Sequence, residues 1–224
     1  SPGAASRSPA KLSQHHTLTA RVVSPVTLTF REYINYRLSN FSSKEERYLN
    51  QLIGVEREKK VIFYASDPSK EESQRYLTEK FLFTYFSQNS EFTFAIKTHP
   101  QDDGKITNSA YLDAGQPSNA ILIGDRTQHK TIVSKAFNIF KEFDFNSAIA
   151  SCDVFLTSSS SSILQAVVLK KKSGIVDLFE NGFYDYLVKN KATMIINGEK
   201  SLDDFLLSSP PMVDNSMLSY FGLK

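Results

Sequence analysis

The 224-residue chain is 41% apolar and 22% charged, the balance of a folded globular protein, which excludes disorder as its main state. A formal charge of +2 gives no general pull towards nucleic acid, and nucleic acid is not expected as a partner. The single cysteine, Cys152, excludes an internal disulfide and fits a reducing compartment. Within Ala-Ser-Cys-Asp-Val-Phe it reads as a small core residue.

No apolar stretch approaches the roughly 20 residues that cross a bilayer, and the opening Ser-Pro-Gly-Ala-Ala-Ser lacks the apolar core of a signal peptide. The first methionine is Met194, so the chain is read as a processed product, a fragment or part of a longer protein. A partner domain could then hold half of a site. Residues 1–26, rich in Ser, Pro, Ala and Thr without periodicity, read as a flexible leader. Residues 27–58 form an amphipathic helical segment. Phe30, Tyr33, Ile34, Tyr36 and Leu38 precede a break near Ser39–Ser43, and Tyr48, Leu49, Leu52 and Ile53 follow it. Ser43, followed by Glu45 and Glu46, suits a helix start. The mixed charges of this segment favour an interdomain or oligomer contact over a membrane-surface helix.

A different rhythm occupies residues 59–207. The short apolar runs Val61–Ala65, Phe92–Ile96, Ala120–Ile123, Val154–Leu156, Gly174–Leu178 and Met194–Ile196 are predicted strands. Most are separated by segments long enough for a helix, the clearest being Glu71–Phe86; Ser201–Leu207 reads as a short capped helix. Fully apolar strands alternating with amphipathic helices predict an α/β, Rossmann-like parallel sheet with helices on both faces. Residues 208–224 form a C-terminal arm.

In such a sheet, ligands bind beyond the carboxyl ends of the strands. Three polar clusters stand there. Lys97-Thr98-His99-Pro100 concentrates an ammonium, a hydroxyl and an imidazole that can serve a phosphate or carboxylate; Pro100 biases His99 to an extended backbone. The same residues could merely cap a turn. Thr157 is followed by Ser158-Ser159-Ser160-Ser161-Ser162 and then by the apolar Ile163-Leu164-Gln165-Ala166. One serine is expected as helix N-cap, and the helix start offers backbone N–H groups to an anion; an ordinary cap in a serine-rich loop is the alternative. Ser66-Asp67-Pro68-Ser69 reads as a turn and cap that could also line the cleft. Asp102-Asp103-Gly104-Lys105 reads as a solvated loop, and His129 as a surface residue. No Cys/His spacing suggests zinc, and GxxxxGK[ST], GxGxxG and GxSxG are all absent.

The order strand, Lys-x-His-Pro, then Ala-Ser-Cys-Asp-Val-Phe-Leu-Thr with its serine run, then Lys-Lys-Ser-Gly-Ile-Val-Asp resembles the C-terminal, donor-binding domain of GT-B glycosyltransferases over roughly residues 59–207. The nearest groups are bacterial capsule and lipopolysaccharide enzymes: sialyltransferases and Kdo transferases that use CMP-sugars, and teichoic-acid-type polymerases. The resemblance implies half of a GT-B fold and transfer of a sugar from a nucleotide-activated donor, a CMP-sugar favoured, in surface polysaccharide synthesis. It places His99 and Pro100, with a pair among Ser158–Ser162, beside the donor phosphate, and gives His99 a catalytic role. Ser66, Asp67, Lys97, Thr98 and Gln165 join the expected substrate-binding set. The implied partners are the nucleotide-sugar donor, a glycan or lipid-linked acceptor and a second Rossmann-like domain. No cofactor and no metal is expected. The implied place is the cytoplasm, or the periphery of the inner membrane. Two departures stand out. Gln165 occupies a position often acidic in these families, and Asp102-Asp103-Gly104 has the letters of a catalytic-base motif but follows the His-Pro pair, so it is not given that role. A nucleotide-sugar 2-epimerase of the same architecture and a non-catalytic interaction module are the alternatives.

Overall fold

The computed structural model describes residues 48–54, 58–68, 71–124, 136–140 and 143–210. The leader, the segment 27–47, His129 and residues 211–224 lie outside the described residues. Among the described residues there are seven strands: β1 Lys60–Ala65, β2 Phe92–Lys97, β3 Ala120–Gly124, β4 Phe137–Ile139, β5 Val154–Thr157, β6 Lys172–Val176 and β7 Met194–Ile196. The helices are α1 Tyr48–Ile53, α2 Glu72–Ser87, α3 Lys105–Asp113, α4 Phe145–Ser151, α5 Ser162–Val168, α6 Asp185–Lys189 and α7 Glu199–Leu207.

All neighbouring strands are parallel, in the order β4-β3-β2-β1-β5-β6-β7. The chain winds outward from β1 to β4, crosses back to the other side of β1, and winds outward again to β7. The expected α/β, Rossmann-like architecture is therefore the observed one. Strand order reverses between β1 and β5, which opens a crevice at the carboxyl ends of those two strands.

Strand alternation sorts the core into two layers. Ile62 and Tyr64 of β1, with Phe94, Ile96, Leu122 and Leu156, face one side and pack with Leu82, Phe83 and Phe86 of α2, Ala110 of α3 and Phe205 of α7. Val61, Phe63 and Ala65, with Ala95, Ile123, Phe155 and Ile175, face the other side and meet Leu49, Ala148, Ile149, Ile163, Ala166 and Leu187 from α1, α4, α5 and α6. Phe86 lies stacked on Phe94 at a centroid distance of 4.9 Å. Burying a side chain of this size contributes about 1.5–3 kcal/mol, so the aromatic layer beneath α2 is a main anchor of the sheet.

Helix α1 belongs to this body. Leu49 is fully buried, its backbone N–H donates to Ser151 Oγ at 2.9 Å, and the Tyr48 hydroxyl accepts from the Asp144 amide at 2.7 Å. Cys152 is buried and its thiol donates to Ile149 O at 3.1 Å. Burial, outweighing the nearby Lys171 charge, pushes that thiol's pKa up to about 12, which keeps it an inert core group. Among the described residues no helix is long and apolar enough to cross a membrane.

The expected solvated loop Asp102–Lys105 is only half right. Asp103 and Lys105 form a surface ion pair at 2.5 Å. Asp102, however, is 6% exposed; its Oδ2 pairs with Arg75 Nη1 at 3.0 Å and its Oδ1 accepts from the Gly104 amide at 2.9 Å. An arginine one helix away draws the carboxylate inward. Gly104 starts α3 at φ +76, and a Cβ there would stand 2.9 Å from the Phe137 ring. Both its backbone and its lack of a side chain are therefore required.

Candidate functional site

Three strand ends converge at the crevice. β1 ends at Ala65 and continues into Ser66, β2 ends at Lys97, and β5 ends at Thr157 before the serine run. Parallel register aligns them: Ala65 is level with Lys97 on one side and with Thr157 on the other. The Ser66 amide donates to Lys97 O at 3.0 Å and Thr157 Oγ1 donates to Ala65 O at 3.0 Å, so the three turns leave the sheet as one unit.

Between them lies a cavity of about 290 Å³, lined by Ala65, Ser66, Lys97, Thr98, His99, Pro100, Phe143, Phe145, Ser160, Ser161, Ser162 and Gln165. Nine of the residues singled out from sequence thus share one wall: Ser66, Lys97–Pro100, Ser160–Ser162 and Gln165. Asp67, Ser158 and Ser159 do not line it. The Ser158 hydroxyl is bonded to Tyr64 Oη at 2.9 Å inside the core. Ser159 Oγ donates to the Asp67 carboxylate, and Ser159 O accepts from Tyr184 Oη at 2.9 Å. The first two serines thereby tie the loop to its neighbours, and the last three face the opening.

The serine turn also differs from a simple N-cap with open amides. Ser161 precedes α5 with helical backbone angles and makes no side-chain cap bond. Ser160 takes that part instead, its Oγ accepting from the Ser162 amide at 3.3 Å and from Ser162 Oγ at 2.8 Å. The Ser160 amide goes to Thr157 Oγ1 at 3.3 Å, and those of Ile163 and Leu164 go to the carbonyls of Ser160 and Ser161. Several first-turn amides are therefore engaged, and hydroxyls become the groups to consider. A hydroxyl has one proton and two lone pairs. Ser160 uses both lone pairs on Ser162, so its own proton is what it can offer. Ser66 is the opposite case: its proton goes to Glu79 Oε1 at 2.5 Å, and lone pairs are what it can offer.

Lys97 is 5% exposed. Its Nζ donates to Thr98 O at 2.7 Å and sits 5.8 Å from the Phe143 ring centroid, a cation held against an aromatic face. Thr98 is fully buried and its hydroxyl donates to Ile123 O at 3.3 Å, which ties the turn to β3. His99 is partly exposed. Its Nδ1 accepts from the Gln101 amide at 3.1 Å, so the neutral ring carries its proton on Nε2. Gln165 lies three residues after Ser162, on the same helical face, and its Oε1 is buried without a hydrogen-bond partner among the described residues.

Phe143 and Phe145 are the lining residues that sequence reasoning missed. Both rings pack on Phe63, at 6.3 and 5.6 Å. The cap of α4 fixes their approach: Asp144 Oδ1 accepts from the amides of Asn146 and Ser147 at 3.0 and 3.3 Å. A signal existed in the closely spaced aromatics Phe140, Phe143 and Phe145, but nothing local placed them at the crevice.

No protein-family model matches the sequence, and no curated protein matches it. Solved structures do. The Escherichia coli ADP-heptose lipopolysaccharide heptosyltransferase II is similar with a TM-score of 0.51 and 14% identity, covering 75% of this chain and 52% of that one. The wall teichoic acid polymerase TagF is similar with a TM-score of 0.50 and 16% identity, covering 77% of this chain and 41% of that one. The fold is one Rossmann-like half of the GT-B type. This chain spans about half the length of those proteins, or less. At such identities the likeness concerns the fold, and the chemistry of the cavity rests with its own groups.

Proposed function

We propose that this chain is the donor-binding half of a glycosyltransferase, and that the cavity between β1, β2 and β5 receives the phosphate of a nucleotide-activated sugar, a CMP-sugar by preference. The observation that carries this reading is the convergence, at the point where strand order reverses, of Lys97, His99 and the outward serines on one small cavity. An ammonium, an imidazole N–H and hydroxyl protons form a donor set suited to phosphate oxygens.

The size of the cavity supports a division of labour. Drug-sized ligands occupy roughly 300–1,000 Å³, so about 290 Å³ suits a phosphate and its immediate attachments better than a whole nucleotide sugar. The remaining contacts, and the base that activates a glycan or lipid-linked acceptor, would come from a second Rossmann-like domain facing this one. Such an enzyme would work in the cytoplasm, free or at the membrane periphery.

During transfer, the bond between the sugar and the donor phosphate breaks and negative charge grows on the leaving phosphate. Lys97 would neutralise it from the wall, where low dielectric strengthens the attraction. Ser160 would donate a hydrogen bond through its hydroxyl, and His99 would donate one from Nε2–H to the departing oxygen, stabilising the charge that develops there. Gln165 Oε1 would accept from a hydroxyl of the sugar or ribose. Phe143 and Phe145 would keep water from one side.

Calorimetric titration of the folded chain with CMP, CDP and UDP tests the proposal. It expects saturable binding of at least one of them, CMP or CDP ahead of UDP. A folded sample that binds none would remove the donor-site reading.

A further inference from the structure

Behind the cavity lies a buried polar cluster that the donor reading does not use. Glu79, on α2, is fully buried, and Ser66, which lines the cavity, is its one well-formed hydrogen-bond partner among the described residues. The second oxygen, Oε2, is sealed from water without a partner. Groups from every packed element face this carboxyl. Arg75 lies one helical turn earlier, Asp102 follows β2, Thr107 stands on α3 and Tyr64 on β1. Arg75 and Thr107 favour the charged form, Thr107 without a well-aligned hydrogen bond; Asp102 opposes it.

We propose that Glu79 is a positioning residue that sets the hydrogen-bond polarity with which Ser66 meets a ligand. When Glu79 is ionised, its Oε1 takes the Ser66 proton in a hydrogen bond, and Ser66 presents lone pairs that suit a ribose or sugar hydroxyl. When Glu79 takes up one proton from water, the carboxylic acid donates to Ser66 Oγ. The Ser66 proton then turns to the cavity, where it suits a phosphate oxygen. Ser66 is thus an acceptor in one state and a donor in the other, whereas Ser160, whose lone pairs are both used, is a donor in each. Burial is the main cause that brings the Glu79 pKa up to about 7, against the Ser66, Thr107 and Arg75 contributions that lower it. Both states are accordingly reached near neutral pH.

The inference rests on the donor-site reading for its ligand, and two arms keep the two claims apart. In the first, CMP affinity is measured calorimetrically between pH 6 and pH 8 for wild type, Glu79→Gln and Ser66→Ala. Titration of the nucleotide phosphate is common to all three. Wild type should show an extra fall in affinity with rising pH, about three- to tenfold, the worth of one hydrogen bond, and both variants should lack it. Identical profiles in the three proteins would overturn the inference and leave the donor site standing. In the second arm, carboxyl carbon NMR follows Glu79 in ligand-free wild type and Ser66→Ala. The midpoint near 7 should move up in Ser66→Ala, because a bond that favours the charge is lost. An unmoved midpoint would overturn the coupling even where no nucleotide binds; absence of CMP binding with a moved midpoint would sink the donor reading alone.

Discussion

Two cavities on this molecule invite opposite readings. The crevice at the ends of β1, β2 and β5 holds about 290 Å³. The second, along the outer edge of the sheet, holds about 660 Å³ and is lined by Val188, Met194, Ile195 and Phe205 with Ser173, Asn190, Lys191, Thr193, Ser208 and Ser209. Size favours the edge cavity; chemistry favours the crevice. At the edge, Thr193 Oγ1 donates to Ser173 O at 2.7 Å, and the remaining wall is mostly apolar. In the crevice a buried cation and a tautomer-fixed imidazole, both from the end of β2, meet oriented hydroxyls from the ends of β1 and β5. Convergence of unlike polar groups at the switch point is stronger evidence of a ligand site than volume.

The largest expected effect breaks the comparison on the edge side. Phe205 is 1% exposed, so Phe205→Ala should destabilise the fold by about 3–5 kcal/mol, seen as a lower urea midpoint. Nucleotide affinity of the remaining folded protein should stay within about twofold.

The next effect comes from behind the crevice. The Glu79 pKa is raised from 4.5 to about 7, so the folded state binds a proton more tightly than the unfolded one. This contribution to stability is complete below the unfolded pKa and is lost as pH rises through the folded one. Between about pH 4.5 and 7 the fold should lose up to about 3 kcal/mol from this source. Urea denaturation of Glu79→Gln across that range should show a shallower decline; a parallel decline would contradict burial as the main influence on Glu79.

Within the crevice, His99→Ala should weaken CMP or CDP binding by about tenfold or more, the range of a charge-assisted hydrogen bond, with an unchanged circular dichroism spectrum. The smallest pair of effects divides the serine run. Ser160→Ala should lower affinity several-fold and, with the Oγ that caps α5 gone, lower stability by about 0.5–2 kcal/mol. Ser158→Ala leaves Tyr64 Oη without its partner in the core and should destabilise by about 1–3 kcal/mol, with affinity unchanged.

The parallel sheet was legible because strands largely buried in a sheet read as mainly apolar runs, and six of the seven contain one, with Thr93 of β2 and Ser173 of β6 as buried polar interruptions. β4 escaped because it has three residues and presents polar Asn138 between Phe137 and Ile139. The edge of the sheet that carries the crevice was legible as well, since the turns after parallel strands all leave at their carboxyl ends; that β1, β2 and β5 are neighbours was not. What each residue does there was not. Five consecutive serines look alike in sequence; Tyr64 and Asp67, more than ninety residues away in the chain, decide that Ser158 and Ser159 turn inward. Arg75 similarly decides that Asp102 is buried. Glu79 carried no sequence signal at all, because an acidic residue on an amphipathic helix ordinarily faces water.

The most direct test of the donor site is to map CMP binding by amide NMR chemical shifts on the isotopically labelled chain. Perturbations should centre on Thr98, His99 and Gln101 and on Ser160 to Ile163, with Ser66 between them. Perturbations centred on Val188, Met194 and Phe205, or none at saturating nucleotide, would contradict the donor site.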